Sequence, residues 1–248
     1  INGRLFSVDM EAMINDFASY TNGILQAACD RLKTESDEEH RRIPQIDASQ
    51  THDDLRIDCA GLRVSKCVIS DRFVSSRANV YITASNHRKQ QACLPYFFEF
   101  VVAEHLGSLM DDDEDEEENE EKERSVLCVG LSTEHMPLNA CVGSVQKTVG
   151  YHSQGTVLIN GKVYQVRNGA FGGSAVIGIL CQIDDKHRLR TAFTIDGRLV
   201  AKPQPVLMHP GVRLYPTISI SSSHVSVTSN FSAAEILYPP KCKFREVN

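Results

Sequence analysis

The chain has 248 residues, 42 % of them apolar and 23 % charged, which supplies a full core and argues against global disorder. It contains no run of eighteen apolar residues, so no membrane-spanning helix is read from it, and a net charge of −6 is far from the basic density of a nucleic-acid binder. The mean hides an asymmetry: Asp111 to Glu123 holds eleven acidic residues and one lysine, net −10, which leaves the rest of the chain at +4.

The start, Ile1 to Asp9, has one basic residue and no long apolar stretch, so no secretory signal is expected there. Residues 8–33 read as a helix. Met10, Met13, Ile14, Phe17, Ile24, Leu25, Ala28 and Leu32 recur at helical spacing and form one apolar stripe. Ser7 is placed as an N-cap, with Asp9 and Glu11 in the first turn, where they suit the helix dipole. Two readings of the stripe stay open: it packs on the domain's own body, or it docks on a partner helix. Residues 34–53 are polar and charged, with Pro44 inside, and read as a linker or a surface-hugging arm. The chain is thus divided into a helix and arm over 1–54, a β domain over 55–232 and a tail over 233–248.

From Leu55 the pattern alternates as half-buried strands do. Leu55 to Ile57, Leu62 to Val64, Asn79 to Thr83 and Tyr96 to Val102 are read as strands, and the apolar run Val126 to Leu131 as a central one. Residues 111–123 are low in complexity and self-repelling, so a disordered loop between two strands is expected. Two hairpins are the clearest local signals. Thr156–Ile159 and Lys162–Val166 flank Asn160-Gly161, and Thr191–Ile195 and Arg198–Val200 flank Asp196-Gly197. Such dipeptides supply the positive φ angles of tight turns whose twist matches paired strands. Val176–Ile183, Leu214–Ile220 and Val225–Phe231 complete the set. Many short strands with little helical pattern after residue 33 predict an all-β fold, a two-sheet antiparallel sandwich or a barrel, preceded by an amphipathic helix.

The order of motifs resembles that of SPRY domains. Pro95-Tyr-Phe-Phe-Glu-Phe100, Cys128-Val-Gly-Leu131, Gly150-Tyr-His-Ser-Gln-Gly155, Val176-Ile-Gly178, Ala192-Phe-Thr-Ile-Asp-Gly197, Leu214-Tyr-Pro216 and Asn230-Phe231 follow one another as in that family, across about residues 60–232. The chain departs from the family pattern in having Ser144 after Gly143 where a Trp is usual, Ser174 after Gly173 where an Asp is usual, and the acidic insertion; it has no Trp at all. The resemblance implies a twisted two-sheet sandwich that binds peptides or folded partners through loops at one edge, as a recognition or assembly module of a larger protein or complex.

Catalytic patterns do not survive inspection. Gly150 to Gly155 is not a nucleophile elbow, because Tyr151 sits two before Ser153. Gly169 to Gly173 lacks the Lys-Ser/Thr of a phosphate loop. Gln91-Ala-Cys93 lacks the glycine context of a nucleophilic cysteine. The acidic run lacks the alternating ligands and turn glycine of a calcium loop. His152 is read as a structural histidine that ties down its loop. The eight dispersed cysteines contain no C-x-x-C pair, so they are read as thiols of an intracellular, reducing compartment, with no metal and no cofactor expected. The expectation is therefore a non-catalytic module with a protein partner and neither nucleic acid nor membrane. The alternative is a lectin-like sandwich. The residues expected to touch the partner are Arg77, Asn79, Asn139, Ser144, Gln146, Tyr151, His152, Ser153 and Gln154, with Tyr151 as a flat outward anchor and Arg77 as a fork for carboxylates or carbonyls.

Overall fold

The structure, a computed structural model, describes residues 44–58, 60–83, 95–104 and 126–242. The helix expected over 8–33 and the acidic segment 111–123 lie outside the described residues. Among the described residues fifteen strands, numbered in chain order, form two antiparallel sheets. Across the first sheet run β1 (Ile46–Thr51), β4 (Val74–Ala78), β14 (Tyr215–Ile220), β6 (Leu127–Ser132), β7 (Val149–His152), β8 (Gln154–Ile159) and β9 (Lys162–Ala170). Across the second run β12 (Arg198–Ala201), β11 (Arg188–Ile195), β10 (Val176–Ile183), β5 (Tyr96–Glu104), β15 (Val225–Asn230), β3 (Arg63–Lys66) and β2 (Leu55–Asp58), with β13 (Val206–Leu207) beside β11. The predicted all-β sandwich is what forms.

A pleated strand sends alternate side chains to opposite faces, and this sorts the core. Val129 and Leu131 of β6, Val149 and Tyr151 of β7 and Ile218 and Ile220 of β14 meet Phe98, Phe100 and Val102 of β5, Ile177 and Ile179 of β10 and Phe193 of β11 in one apolar layer. The outer faces are also covered, which is why β5, β6 and β14 are buried almost throughout. On the first sheet the segment 133–148 lies across Cys128 and Gly150. A Cβ on Gly150 would sit 2.2 Å from the Val142 carbonyl oxygen, so the close approach requires glycine there. On the second sheet the buried Glu99 carboxylate accepts the Leu237 and Tyr238 N–H groups at 2.7 and 2.8 Å. Those two residues belong to the expected tail, which is therefore tied to the sandwich.

Both expected hairpins form. Asn160 and Gly161 (φ 52° and 80°) turn β8 into β9, and Asp196 and Gly197 (φ 49° and 75°) turn β11 into β12. Three expectations need correction. The arm expected over 34–53 contains β1, an edge strand with polar alternation that is held to β4 partly through Thr51 Oγ1 and Ser76 Oγ, 2.5 Å apart. The strand expected at Asn79–Thr83 is displaced to β4, Val74–Ala78, and within 79–83 only Ile82 bridges, to Leu214. Burial of Ser75, Ser76 and Arg77 gives β4 no apolar alternation to read. Finally, the tripeptide Gly150-Tyr-His152 is strand β7 rather than loop. The turn at 221–224 also crosses between sheets, since β14 and β15 do not pair.

Candidate functional site

Placement of Tyr151 on β7 reverses its expected role. It stands opposite Val129 on β6 and Val157 on β8, on the inward face. Its ring is fully buried between Phe171 and Phe193, and its hydroxyl donates to the Gly169 carbonyl. Burial pushes the phenol up to about 12. Tyr151 is thus a core residue and not an outward anchor. Arg77 is likewise 2 % exposed. Its guanidinium donates to the Gln50 side-chain oxygen at 2.9 Å, the Glu134 carbonyl at 3.2 Å and the Met136 carbonyl. The fork expected to meet a partner's carbonyls meets the protein's own, and it fixes the segment after β6 to the outer face of β4.

The remaining expected residues, apart from Asn79 after β4, divide between the two ends of β7. His152 is buried, packs edge-on against Phe73 at 5.7 Å and accepts the Gln154 N–H at Nδ1, 3.1 Å. Burial pulls its pKa below the ordinary imidazole value, and the expected structural role holds. Ser153 is buried, with its N–H donating to the Leu127 carbonyl at 2.9 Å, while Gln154 is exposed. Asn79, half-buried, accepts the Gln45 N–H at 3.0 Å. Asn139, Ser144 and Gln146 are exposed on the segment that precedes β7. Residues 144–146 and 152–154 flank opposite ends of one strand, so they do not form one surface.

Of the nine, Gln146 alone lines a concavity that the described residues build. That cleft, of about 550 Å³, lies between Thr133–Pro137 after β6, Val145–Lys147 before β7 and His209–Arg213 before β14. Each wall is fastened to the sandwich. Arg77 holds the first, as above. In the second, the Lys147 N–H donates to Asn160 Oδ1 at 2.6 Å, so the β8–β9 turn carries it. The third is set by Leu214, whose N–H and carbonyl pair with Ile82 at 2.9 and 2.7 Å. Polar contacts bind the intervening segment to the sheet: Val142 N–H donates to Ser219 Oγ at 2.9 Å, and Ser75 Oγ donates to the Ala140 carbonyl at 2.6 Å.

The lining combines apolar Pro137, Val145, Pro210 and Val212 with cationic Lys147 and Arg213, the histidines His135 and His209, and one carboxylate, Glu134. Arg213 is exposed yet held. Its guanidinium carbon lies 4.6 Å from the centre of the Tyr81 ring. Tyr81, and with it a hydrogen bond to Tyr215, raises the arginine's pKa further. Sequence reasoning missed Arg213, Tyr81 and His209. The available signals were the turn His209-Pro-Gly211 and the position of Arg213 immediately before Leu214-Tyr-Pro216. Among the described residues no group of three or more His, Cys, Asp or Glu could hold a metal ion, and no helix is long and apolar enough to cross a membrane.

These two sheets and their covering segments make a SPRY-like sandwich. The chain is similar to a human SPRY domain, with a TM-score of 0.55 and 18 % identity over 73 % of this chain and 96 % of that one. It is similar to the SPRY domain of human HERC1, with a TM-score of 0.52 and 15 % identity over 75 % and 96 %. It is also similar to the PSpry domain of TRIM65, with a TM-score of 0.50 and 11 % identity over 77 % and 93 %. No protein-family model matches the sequence, and no curated protein matches it. At such identities the likeness establishes the fold, and the ligand has to be argued from the site.

Proposed function

We propose that the chain is a non-catalytic protein-binding module that takes an extended segment of a partner protein into the cleft between residues 133–137, 145–147 and 209–213. The observation that carries this reading is a concave surface whose walls are braced by hydrogen bonds to the sandwich while Glu134, His135, Pro137, Gln146, Pro210 and Arg213 stay exposed. Loops held on a rigid sandwich suit recognition, because little ordering entropy is lost on binding. The non-catalytic part rests on the candidates themselves. His152 is buried with Nδ1 occupied, and burial holds the Cys128 and Cys181 thiols well above the ordinary range, which disfavours the thiolate. The dispersed cysteines support work in a reducing, intracellular compartment.

The test is a random peptide library displayed on phage and panned against the whole chain. Enriched peptides should lose binding to Gln146→Trp and Pro210→Trp, exposed substitutions that fill the cleft without entering the core. They should bind normally to Gln154→Trp, at the far end of β7. Binding that survives both cleft substitutions in folded protein would place the site elsewhere.

A further inference from the structure

We infer that the segment bound in the cleft is acidic, and that its recognition depends on Arg213 receiving a carboxylate beside an apolar side chain; this deepens the proposed function and rests on it. Two arginines beside the cleft, one buried and one exposed, have opposite fates. Arg77 spends its donors on Gln50 and the carbonyls of Glu134 and Met136. Arg213 places its guanidinium carbon over the Tyr81 ring and hydrogen-bonds Tyr215, while the residue as a whole remains exposed at the cleft. A guanidinium held over a ring still has N–H donors to offer a carboxylate, with part of its rotamer entropy already spent.

The surroundings favour the same ligand. Lys147 is the second cation of the lining, and Glu134, whose charge also acts on Arg213, is its only carboxylate, so the lining carries two cations against one anion. A basic segment would bring like charge against Lys147 and Arg213; an acidic one is complementary to them. Pro137, Val145, Pro210 and Val212 offer apolar contact next to the charged group. Gly211 takes a φ of 75°, and a Cβ there would meet nothing within 4 Å, so this wall of the cleft stays open. A second copy of the chain is a poorer occupant, because the matching faces of two copies would both present Lys147 and Arg213.

The experiment is a double-mutant cycle on the peptides enriched by panning, read by fluorescence polarisation. The enriched set should share an Asp or Glu next to a Leu, Ile, Val or Phe. Arg213→Gln, which keeps size and loses charge, should weaken binding about tenfold or more, as should changing the peptide's acid to its amide. Combining the two should cost little more than either alone, and affinity should fall with added salt. If both changes leave affinity within about twofold while Gln146→Trp and Pro210→Trp abolish it, the acidic ligand is wrong and the cleft stands. Enrichment of basic peptides, or of none, overturns the inference. Binding that ignores the cleft substitutions overturns the proposed function as well.

Discussion

The ring of Tyr151 on β7 stacks on that of Phe193 on β11, with centroids 5.2 Å and planes 29° apart. The contact joins the two sheets within the core, and the Gly169 carbonyl accepts a hydrogen bond from the phenol. The aromatic pair and the buried hydroxyl therefore contribute to stability and not to the binding surface.

Tyr151→Ala should destabilise the domain by about 3–5 kcal/mol, as large aromatic truncations in cores do. Tyr151→Phe keeps the stack and leaves the Gly169 carbonyl without its donor, at about 1–3 kcal/mol. Urea melts check both. A Tyr151→Phe protein that remains folded should bind cleft peptides as the parent does.

Arg77 acts on the cleft from beneath. Arg77→Lys retains the charge but cannot reach Gln50, Glu134 and Met136 with one forked group. It should lower the melting temperature and weaken cleft peptides together, whereas Arg213→Gln should weaken them with the melting temperature almost unchanged. Parallel melts and titrations of the two variants separate bracing from contact.

Stability should fall in two stages on acidification. His152 has a lowered pKa in the fold, so the unfolded chain binds its proton first. Its contribution is complete above the unfolded value of about 6.5 and declines as pH falls toward the folded one. Asp184 follows. Burial alone would raise its pKa, but hydrogen bonds from Arg188, Arg190 and the Lys186 N–H hold it well below the usual carboxylate range. Its contribution is present above the unfolded value of about 3.9 and is lost below that, toward the folded pKa. In His152→Gln the slope just below about pH 6.5 should flatten, and denaturant melts on the acid side of that pH measure it.

Glu99 ties the chain after β15 to the outer face of β5. Glu99→Ala removes the acceptor of both the Leu237 and Tyr238 N–H groups. Hydrogen exchange at those two amides should then rise sharply, with a smaller change at Tyr215–Ile220 in the other sheet. Unchanged protection at Leu237 and Tyr238 would mean that the tail is held by something else.

The fold was largely legible because its signals are local. Asn160-Gly161 and Asp196-Gly197 dictate turns, and the runs at β5, β6 and β10 are apolar enough to read as buried strands. β1 and β4 were hidden because they pair through polar side chains: Thr51 with Ser76, Ser75 with Ser219, and Arg77 with carbonyls far along the chain. The site was less legible for the same reason. Tyr151 and Arg77 are residue types that favour interfaces, yet strand register sends one inward and the covering segment absorbs the other. Arg213 meets Tyr81 only after β4 and β14 have paired, a contact that no short window of sequence contains.

The most direct test of the central claim is amide shift mapping. The whole chain, labelled with nitrogen-15, is titrated with a panned peptide, and the perturbed amides are assigned. The account predicts the largest shifts at 133–136, 145–147, 209 and 211–213, with Gln154 and Ser221–His224 at the far end of the first sheet unmoved. Shifts centred on Gln154 and Ser221–His224, with the cleft silent, would contradict it.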